Sequence, residues 1–262
     1  MTTPFVDIGL NLGHRRFDKD RQEVIERALA AGVTQMILTG TDVAESEAMA
    51  DLAATRPGTF WSTAGVHPHD AAGCDESTLA SLRELAKRAE VVAIGECGLD
   101  FNRDFSPRAE QERWFASQVA LARELGLPLF LHERDATERF LAILDASGDV
   151  PPPAVVHCFT AGREALDAYL ERGFYIGVTG WICDERRGTE LQDLVQYIPL
   201  DRLLVETDAP YLSPRDMRPR PKRNEPAYLP HIASTIARHA NVTLEALAKA
   251  SSSNAERLFG LE

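Results

Sequence analysis

Eight residues of this 262-residue chain share a position and include the groups that could do chemistry. Asp7, Thr39, His67, Glu96, His132, His157, Thr179 and Asp208 each end, or directly follow, a short apolar and β-branched run. Imidazole nitrogen and carboxylate oxygen are the natural ligands of a divalent ion. An ion held by them lowers the pKa of a bound water and polarises a phosphoryl oxygen, and a pair of ions clamps attacking and leaving oxygens. Phosphodiester hydrolysis gains from both effects. Glu96, with two oxygens, is placed to bridge ions. His132 and His157 would be terminal ligands, and Asp208 would hold a water or accept its proton. A lone histidine after a strand is usually a capping or core residue. Three of the seven histidines in one register, beside three acids, point to a site.

The elements that must carry these residues alternate along the chain. Strand-like runs are expected at Phe5–Ile8, Thr34–Thr39, Phe60–Val66, Val91–Gly95, Leu129–Leu131, Ala154–His157, Phe174–Val178 and Leu203–Val205. Helical patterns lie between or after them, among them Arg21–Ala31, Leu79–Arg88, Pro107–Leu125, Ala136–Ala146, Tyr228–His239 and Leu244–Phe259. In the third of these, Ser106 is the expected N-cap with Pro107 at the first helical position, and Phe115, Val119 and Ala122 share a face. Gly32, Gly126 and Gly173 stand where a left-handed residue would close a helix before the next strand. Eight βα units without a linker or composition shift predict a single-domain α/β fold over residues 1–262, a (β/α)8 TIM barrel. In such a barrel the strand C-termini converge on the face that holds active sites. No glycine-rich dinucleotide loop or P-loop follows any strand.

Composition bounds the partners. The net charge of −12 speaks against a broad basic surface gripping duplex nucleic acid, although an ion-based site needs acidic ligands and only local positive charge. One local basic run exists, Arg215, Arg218, Arg220, Lys222 and Arg223 among prolines, with a solvated loop and a phosphate-contacting loop equally compatible. Cys74, Cys97, Cys158 and Cys183 lack C-x-x-C spacing, which excludes a zinc ribbon and predicts reduced thiols. Met1-Thr2-Thr3-Pro4 shows no secretory leader, and no apolar run spans a bilayer, so a cytoplasmic monomer without a membrane partner is expected. The Asn241-Val242-Thr243 triplet then reads as a chance glycosylation match.

Other residues carry weaker signals. His67 and His69, in Val66-His67-Pro68-His69-Asp70, are candidates for substrate contact, with loop capping slightly favoured for His69. Trp181 would stack a base or plug the barrel mouth. Arg134 would neutralise phosphate, Asp135 would cap the following helix, and Arg186 and Arg187 would lie in an exposed loop.

The strings STAGVHPHD (62–70), VVAIGECGLDFNRDFS (91–106), PLFLHERDATERF (128–140), VVHCFT (155–160), GVTGWICDERRG (177–188) and LLVETDAPYLSPRD (203–216) together resemble the TatD family of metal-dependent deoxyribonucleases. KRNEP (222–226) and the N-A-x-x-L-F ending at Asn254–Phe259 extend the likeness over almost the whole chain. The resemblance implies metal and catalytic roles for Glu96, His132, His157 and Asp208, the residues already selected by position. It also implies an exonuclease acting 3′→5′ on single-stranded DNA and RNA, with a link to repair of oxidative damage. Much of the wider family opens with D-x-H-x-H, whereas here the segment reads Asp7-Ile8-Gly9-Leu10-Asn11, as in the TatD subgroup proper. Glycine offers no side-chain ligand and asparagine only a neutral oxygen, leaving Asp7 and Asn11 as accessory candidates. Fewer nitrogen ligands favour Mg²⁺, with Mn²⁺ or Zn²⁺ as alternatives. Two rival readings are a small-molecule amidohydrolase, disfavoured by the missing H-x-H and bridging lysine, and a non-catalytic barrel scaffold, disfavoured by the four retained ligands.

Overall fold

The computed structural model describes residues 4–261; Met1-Thr2-Thr3, part of the segment read above as lacking a leader, lie outside them. Along the chain run β1 (Phe5–Leu10), α1 (Arg21–Ala30), β2 (Val33–Leu38), α2 (Val43–Ala54), β3 (Phe60–Ala64), α3 (Thr78–Leu85), β4 (Val91–Asp100), α4 (Arg108–Leu125), β5 (Leu129–Arg134) and α5 (Thr137–Ala146). They are followed by β6 (Ala154–Val156), α6 (Arg163–Glu171), β7 (Tyr175–Val178), α7 (Thr189–Leu194), β8 (Leu203–Val205), α8 (Leu229–His239) and α9 (Leu244–Phe259). The eight parallel strands form one sheet in sequence order, the (β/α)8 barrel fold. The chain divides into two compact units, Thr39–His157 and Met1–Leu38 with Cys158–Glu262.

The Thr39–His157 unit carries β3 to β6. All ten residues of β4 are buried, as expected of a parallel strand covered on both faces. Gly95 marks the expected end of this strand, yet β4 continues to Asp100, with a register shift against β5 between Ile94 and Cys97. Gly98 explains how the two strands stay paired there. Its φ is +148°, and a Cβ at this position would meet the His132 carbonyl oxygen at 1.8 Å. Only a residue without a side chain lets β4 approach β5 so closely.

Helix α4 fixes the loops around these strands. Phe115, Val119 and Ala122 are buried as the spacing predicts, and Phe115 stacks on Phe140 of α5 at 5.0 Å. Each such aromatic contributes on the order of 2 kcal/mol through burial. Two polar residues on the same helix are also buried and have specific tasks. Gln118 accepts from the Val66 amide at 2.7 Å and donates to the Val66 carbonyl at 3.1 Å. Gln111 accepts from the Asp100 amide at 2.9 Å and donates to the Ser106 carbonyl. The helix ends at Gly126, whose φ of +68° is the left-handed closure expected there. Its start differs from expectation. Pro107 occupies the cap position, while buried Ser106 donates its hydroxyl to the His69 carbonyl at 2.7 Å and accepts from the Ala72 amide. A hydroxyl satisfied by another loop is not available to the helix.

In the other unit β1 pairs with β2 and β7 with β8. A bridge between Leu10 and Ala209 joins β1 to the segment after β8, supported by the Asn11 amide on the Ala209 carbonyl at 2.7 Å and the Asp208 amide on the Gly9 carbonyl at 2.9 Å. Helix α9 packs on β1 and β8; its N-cap is Thr243, whose hydroxyl accepts from the Ala246 amide. The hydroxyl of the Asn241-Val242-Thr243 triplet is thus a helix cap. The four cysteines are free thiols, Cys97 and Cys183 buried and the other two half-buried. No described helix is long and apolar enough to cross a membrane.

Candidate active site

Three imidazoles converge on one carboxylate oxygen in the Thr39–His157 unit. Glu96 lies on β4, His132 on β5, His157 directly after β6, and His67 after β3. Glu96 Oε1 is 2.8 Å from His157 Nε2, 2.9 Å from His132 Nδ1 and 3.2 Å from His67 Nε2. Glu96 and His157 are each 5% exposed, while His132 is half-buried. Burial alone would raise the Glu96 carboxyl pKa. The imidazoles of His157, His67 and His132 overcome that and hold it well below the usual carboxylate range.

The histidines differ in what they can offer. Burial pushes His67 down to about 4, so its ring is neutral near pH 7. Its Nδ1 accepts from the His69 amide at 3.1 Å, which leaves the ring proton on Nε2 as a donor. His67, and not His69, is therefore the capping residue of the 3-10 turn Pro68–Gly73. For His132, burial opposes protonation, but contacts with Asp100 and Glu96 raise its pKa overall. Its Nε2 is buried, 3.4 Å from Asp100 Oδ2, and makes no hydrogen bond. A buried ring nitrogen without a hydrogen bond, next to a carboxylate and further imidazoles, fits a nitrogen- and oxygen-bound divalent ion. The donor atoms of His67, Glu96 and His132 all lie within 4.8 Å of one another.

Asp100 is the residue that the sequence reading passed over. It lies on β4 two alternations beyond Glu96, hence on the same strand face. Its Oδ2 is 2.7 Å from His69 Nε2, and its Oδ1 accepts from the Asn102 and Arg103 amides. Burial works against the anion, yet the histidine and amide hydrogen bonds lower its pKa. The signal was present as the alternation Glu96, Gly98, Asp100, hidden by reading Gly95 as a strand end. Arg134 ends β5, two residues past His132, and approaches Asp135 at 3.7 Å. Asp135, expected to cap α5, instead accepts from the Asn102 side chain at 2.8 Å with φ +53°. The Ala136 amide is taken by Glu133.

The other unit holds a second arrangement of acids. Asp7 is fully buried, accepting from the Thr207 amide at 2.9 Å and the Thr207 hydroxyl at 2.6 Å. Burial dominates here and pushes its carboxyl up to about 8. Asn11 donates to Asp208 Oδ1 at 2.9 Å, and buried Glu206 accepts from the Cys158 amide at 2.6 Å. Asn224 donates to the Thr207 carbonyl at 2.8 Å, while its neighbours Arg223 and Glu225 join Asp20 and Arg27 in ion pairs. Within the basic run, Arg223 is thus a structural brace. Arg186, Arg215, Arg218 and Arg220 line a pocket of about 230 Å³ with Glu185. Trp181 follows β7, donates Nε1 to the Arg187 carbonyl at 3.1 Å, and is covered by the Arg187 guanidinium 4.4 Å from its ring centroid.

Known proteins match along the entire course of these strands. The family described as TatD related DNase matches residues 6–260. A protein of Erwinia billingiae named 3′-5′ ssDNA/RNA exonuclease TatD is 54% identical over 257 residues, 97% of this chain and 98% of its own. One of the same name from Salmonella typhimurium is 53% identical over 255 residues, 97% and 98% of the two chains. Among solved structures, a TatD homologue from Escherichia coli superposes with a TM-score of 0.90 at 26% identity, covering 99% of both chains. A TatD-family hydrolase from Entamoeba histolytica superposes with a TM-score of 0.88 at 25% identity, covering 100% of both. The chain belongs to the TatD-related DNase family.

Proposed function

We propose that this protein is a metal-dependent 3′→5′ exonuclease that hydrolyses phosphodiester bonds of single-stranded DNA and RNA. The observation that carries this reading is the convergence of three imidazole nitrogens on Glu96 Oε1 at 2.8–3.2 Å, beside the buried His132 Nε2, which faces Asp100 at 3.4 Å without a hydrogen bond. The exonuclease names of relatives more than half identical over nearly the full length support the substrate and polarity.

Each residue has a distinct task in this reading. Glu96, His132 and His157 hold the ion, for which Mg²⁺ is preferred because Gly9 and Asn11 supply no imidazoles. Bound there, a divalent ion polarises a phosphoryl oxygen and acidifies water. Asp208 orients the attacking water and takes its proton, with Asn11 fixing its Oδ1. Asp7 acts one step further back by pinning Thr207, the residue before Asp208. His67, His69 and Arg134 flank the substrate phosphate, and Trp181 stacks a base. We further place the protein in the cytoplasm as a single-domain monomer serving repair of oxidised DNA.

The test follows 3′-labelled and 5′-labelled single-stranded oligonucleotides through digestion with Mg²⁺ and with EDTA. Early release of the 3′ label as mononucleotide, beside a shrinking 5′-labelled ladder and only with Mg²⁺, is the expected result. Intact oligonucleotide with Mg²⁺, Mn²⁺ and Zn²⁺ alike would overturn the nuclease reading.

A further inference from the structure

A second group of ligand-type side chains gathers in the unit that holds β7 and β8. Cys183 ends the 3-10 turn Gly180–Cys183 after β7, Asp216 lies in the arginine-bearing loop after β8, and His231 sits in the first turn of α8. One donor atom from each lies within 4.8 Å of the others. His231 Nε2 and Asp216 Oδ1 are 2.8 Å apart, and Asp216 and Thr235 both face the Cys183 thiol. None of the three takes part in the Glu96 cluster, and no C-x-x-C spacing announces them. Their convergence comes entirely from the fold.

We propose that Cys183, Asp216 and His231 form a binding site for a zinc-class divalent ion, held by thiolate sulfur, carboxylate oxygen and imidazole nitrogen. The donor set selects the ion. A thiolate with an imidazole favours zinc or cobalt over magnesium, whereas the Glu96 cluster contains no sulfur ligand. Binding exchanges the Cys183 S–H bond for a sulfur–metal bond and releases that proton to solvent, while the proton of the His231–Asp216 hydrogen bond moves through solvent to His231 Nδ1, which frees Nε2 and Oδ1 for two ligand bonds. Three ligands leave a fourth position for water. Without the ion, burial holds the thiol as the neutral acid, its pKa pushed up to about 12. The thiol is therefore a poor nucleophile as it stands, and metal binding is the chemistry its two partners provide for. Such an ion would tie three separate segments together: the turn that carries Trp181, the loop that carries Arg215, Arg218 and Arg220, and α8.

Cobalt(II) provides the test, because a thiolate ligand gives it a sulfur-to-metal charge-transfer band in the near ultraviolet. The full chain, stripped with chelator and titrated with Co²⁺, should develop that band, and Zn²⁺ should displace it. Cys183→Ser should lose the band, while Glu96→Gln should retain it, which separates this site from the proposed catalytic one. His231 is half-exposed, so His231→Ala should remain folded and bind Co²⁺ about tenfold or more weakly. No charge-transfer band in the folded parent, an undiminished band in Cys183→Ser, or unchanged affinity in His231→Ala would each overturn the proposal.

Discussion

Two buried carboxylates on strands of this protein are treated in opposite ways. Glu96 on β4 is surrounded by imidazoles, which keep it ionised despite its burial. Asp7 on β1 meets two backbone amides, a hydroxyl and a nearby acid, and burial pushes it up to about 8. Hydrogen bonds from neutral donors lower a carboxyl pKa, but here they do not repay its desolvation, and Glu206 adds repulsion. The contrast separates two uses of a buried acid. Anionic Glu96 has imidazole nitrogens around it and is ready to share a cation with them. Asp7 is a clasp that holds Thr207 in place, with a charge that is only marginally tolerated.

The sharpest way to break this comparison is to neutralise Glu96. Glu96→Gln keeps the volume and one acceptor oxygen but removes the anion. Metal-dependent cleavage should fall by a factor on the order of 10³, with the circular dichroism spectrum unchanged. His132→Ala should do the same by removing the buried nitrogen that lacks a hydrogen bond. Parent-like cleavage rates in both variants would remove the site assignment.

Asp100 tests how far the anionic cluster extends. Asp100→Asn retains an oxygen for the Asn102 and Arg103 amides, so the turn survives, but it withdraws the charge beside His69 and His132. Cleavage should drop by about 10- to 100-fold, the usual cost of losing a group that orients a ligand. A variant with full activity would reduce Asp100 to a turn-former. A smaller effect is expected on the other side of the comparison. Asn11→Ala releases Asp208 Oδ1 from its 2.9 Å hydrogen bond and should slow cleavage roughly tenfold or less. Asn11→Asp, which sets a second acid against Asp208, should slow it further. Steady-state rates for the pair decide whether Asn11 positions Asp208 or merely lies beside it.

Much of this arrangement was legible because barrel chemistry gathers at strand ends. The runs containing Leu203–Val205 and Ala154–Val156, and the histidines and acids that follow strands, come directly from period-two and βα patterning. What escaped has local physical causes. The expected strand stops at Gly95, yet glycines at 95 and 98 let β4 lie close against β5 through a register shift and continue to Asp100. Ser106 and Asp135 have good capping chemistry, but each is engaged by a distant loop, His69 in one case and Asn102 in the other. Arg223 belongs to a basic run in sequence and to an ion-pair brace in space. Cys183, Asp216 and His231 share no motif at all. Long-range pairing decides such cases, and no window of sequence contains it.

The smallest change in activity, and the clearest in stability, is expected at Asp7. Its ordinary pKa near 3.8 in the unfolded chain rises to about 8 in the fold. Between those values the folded state keeps a proton that the unfolded state has released. The associated stability is fully present below about pH 4 and is lost as pH rises through about 8. Asp7→Asn removes the titration while its side-chain oxygen can still accept from the Thr207 amide and its NH₂ can meet the Thr207 hydroxyl. Urea midpoints measured at intervals from pH 4 to pH 9 should therefore fall less steeply in the variant. The two proteins should be close at the acid end, and the variant more stable by on the order of a few kcal/mol at the alkaline end. Parallel curves would mean that Asp7 is anionic throughout. In that case the two carboxylates would be alike after all, and Asp7 would become a candidate for the same cation chemistry as Glu96.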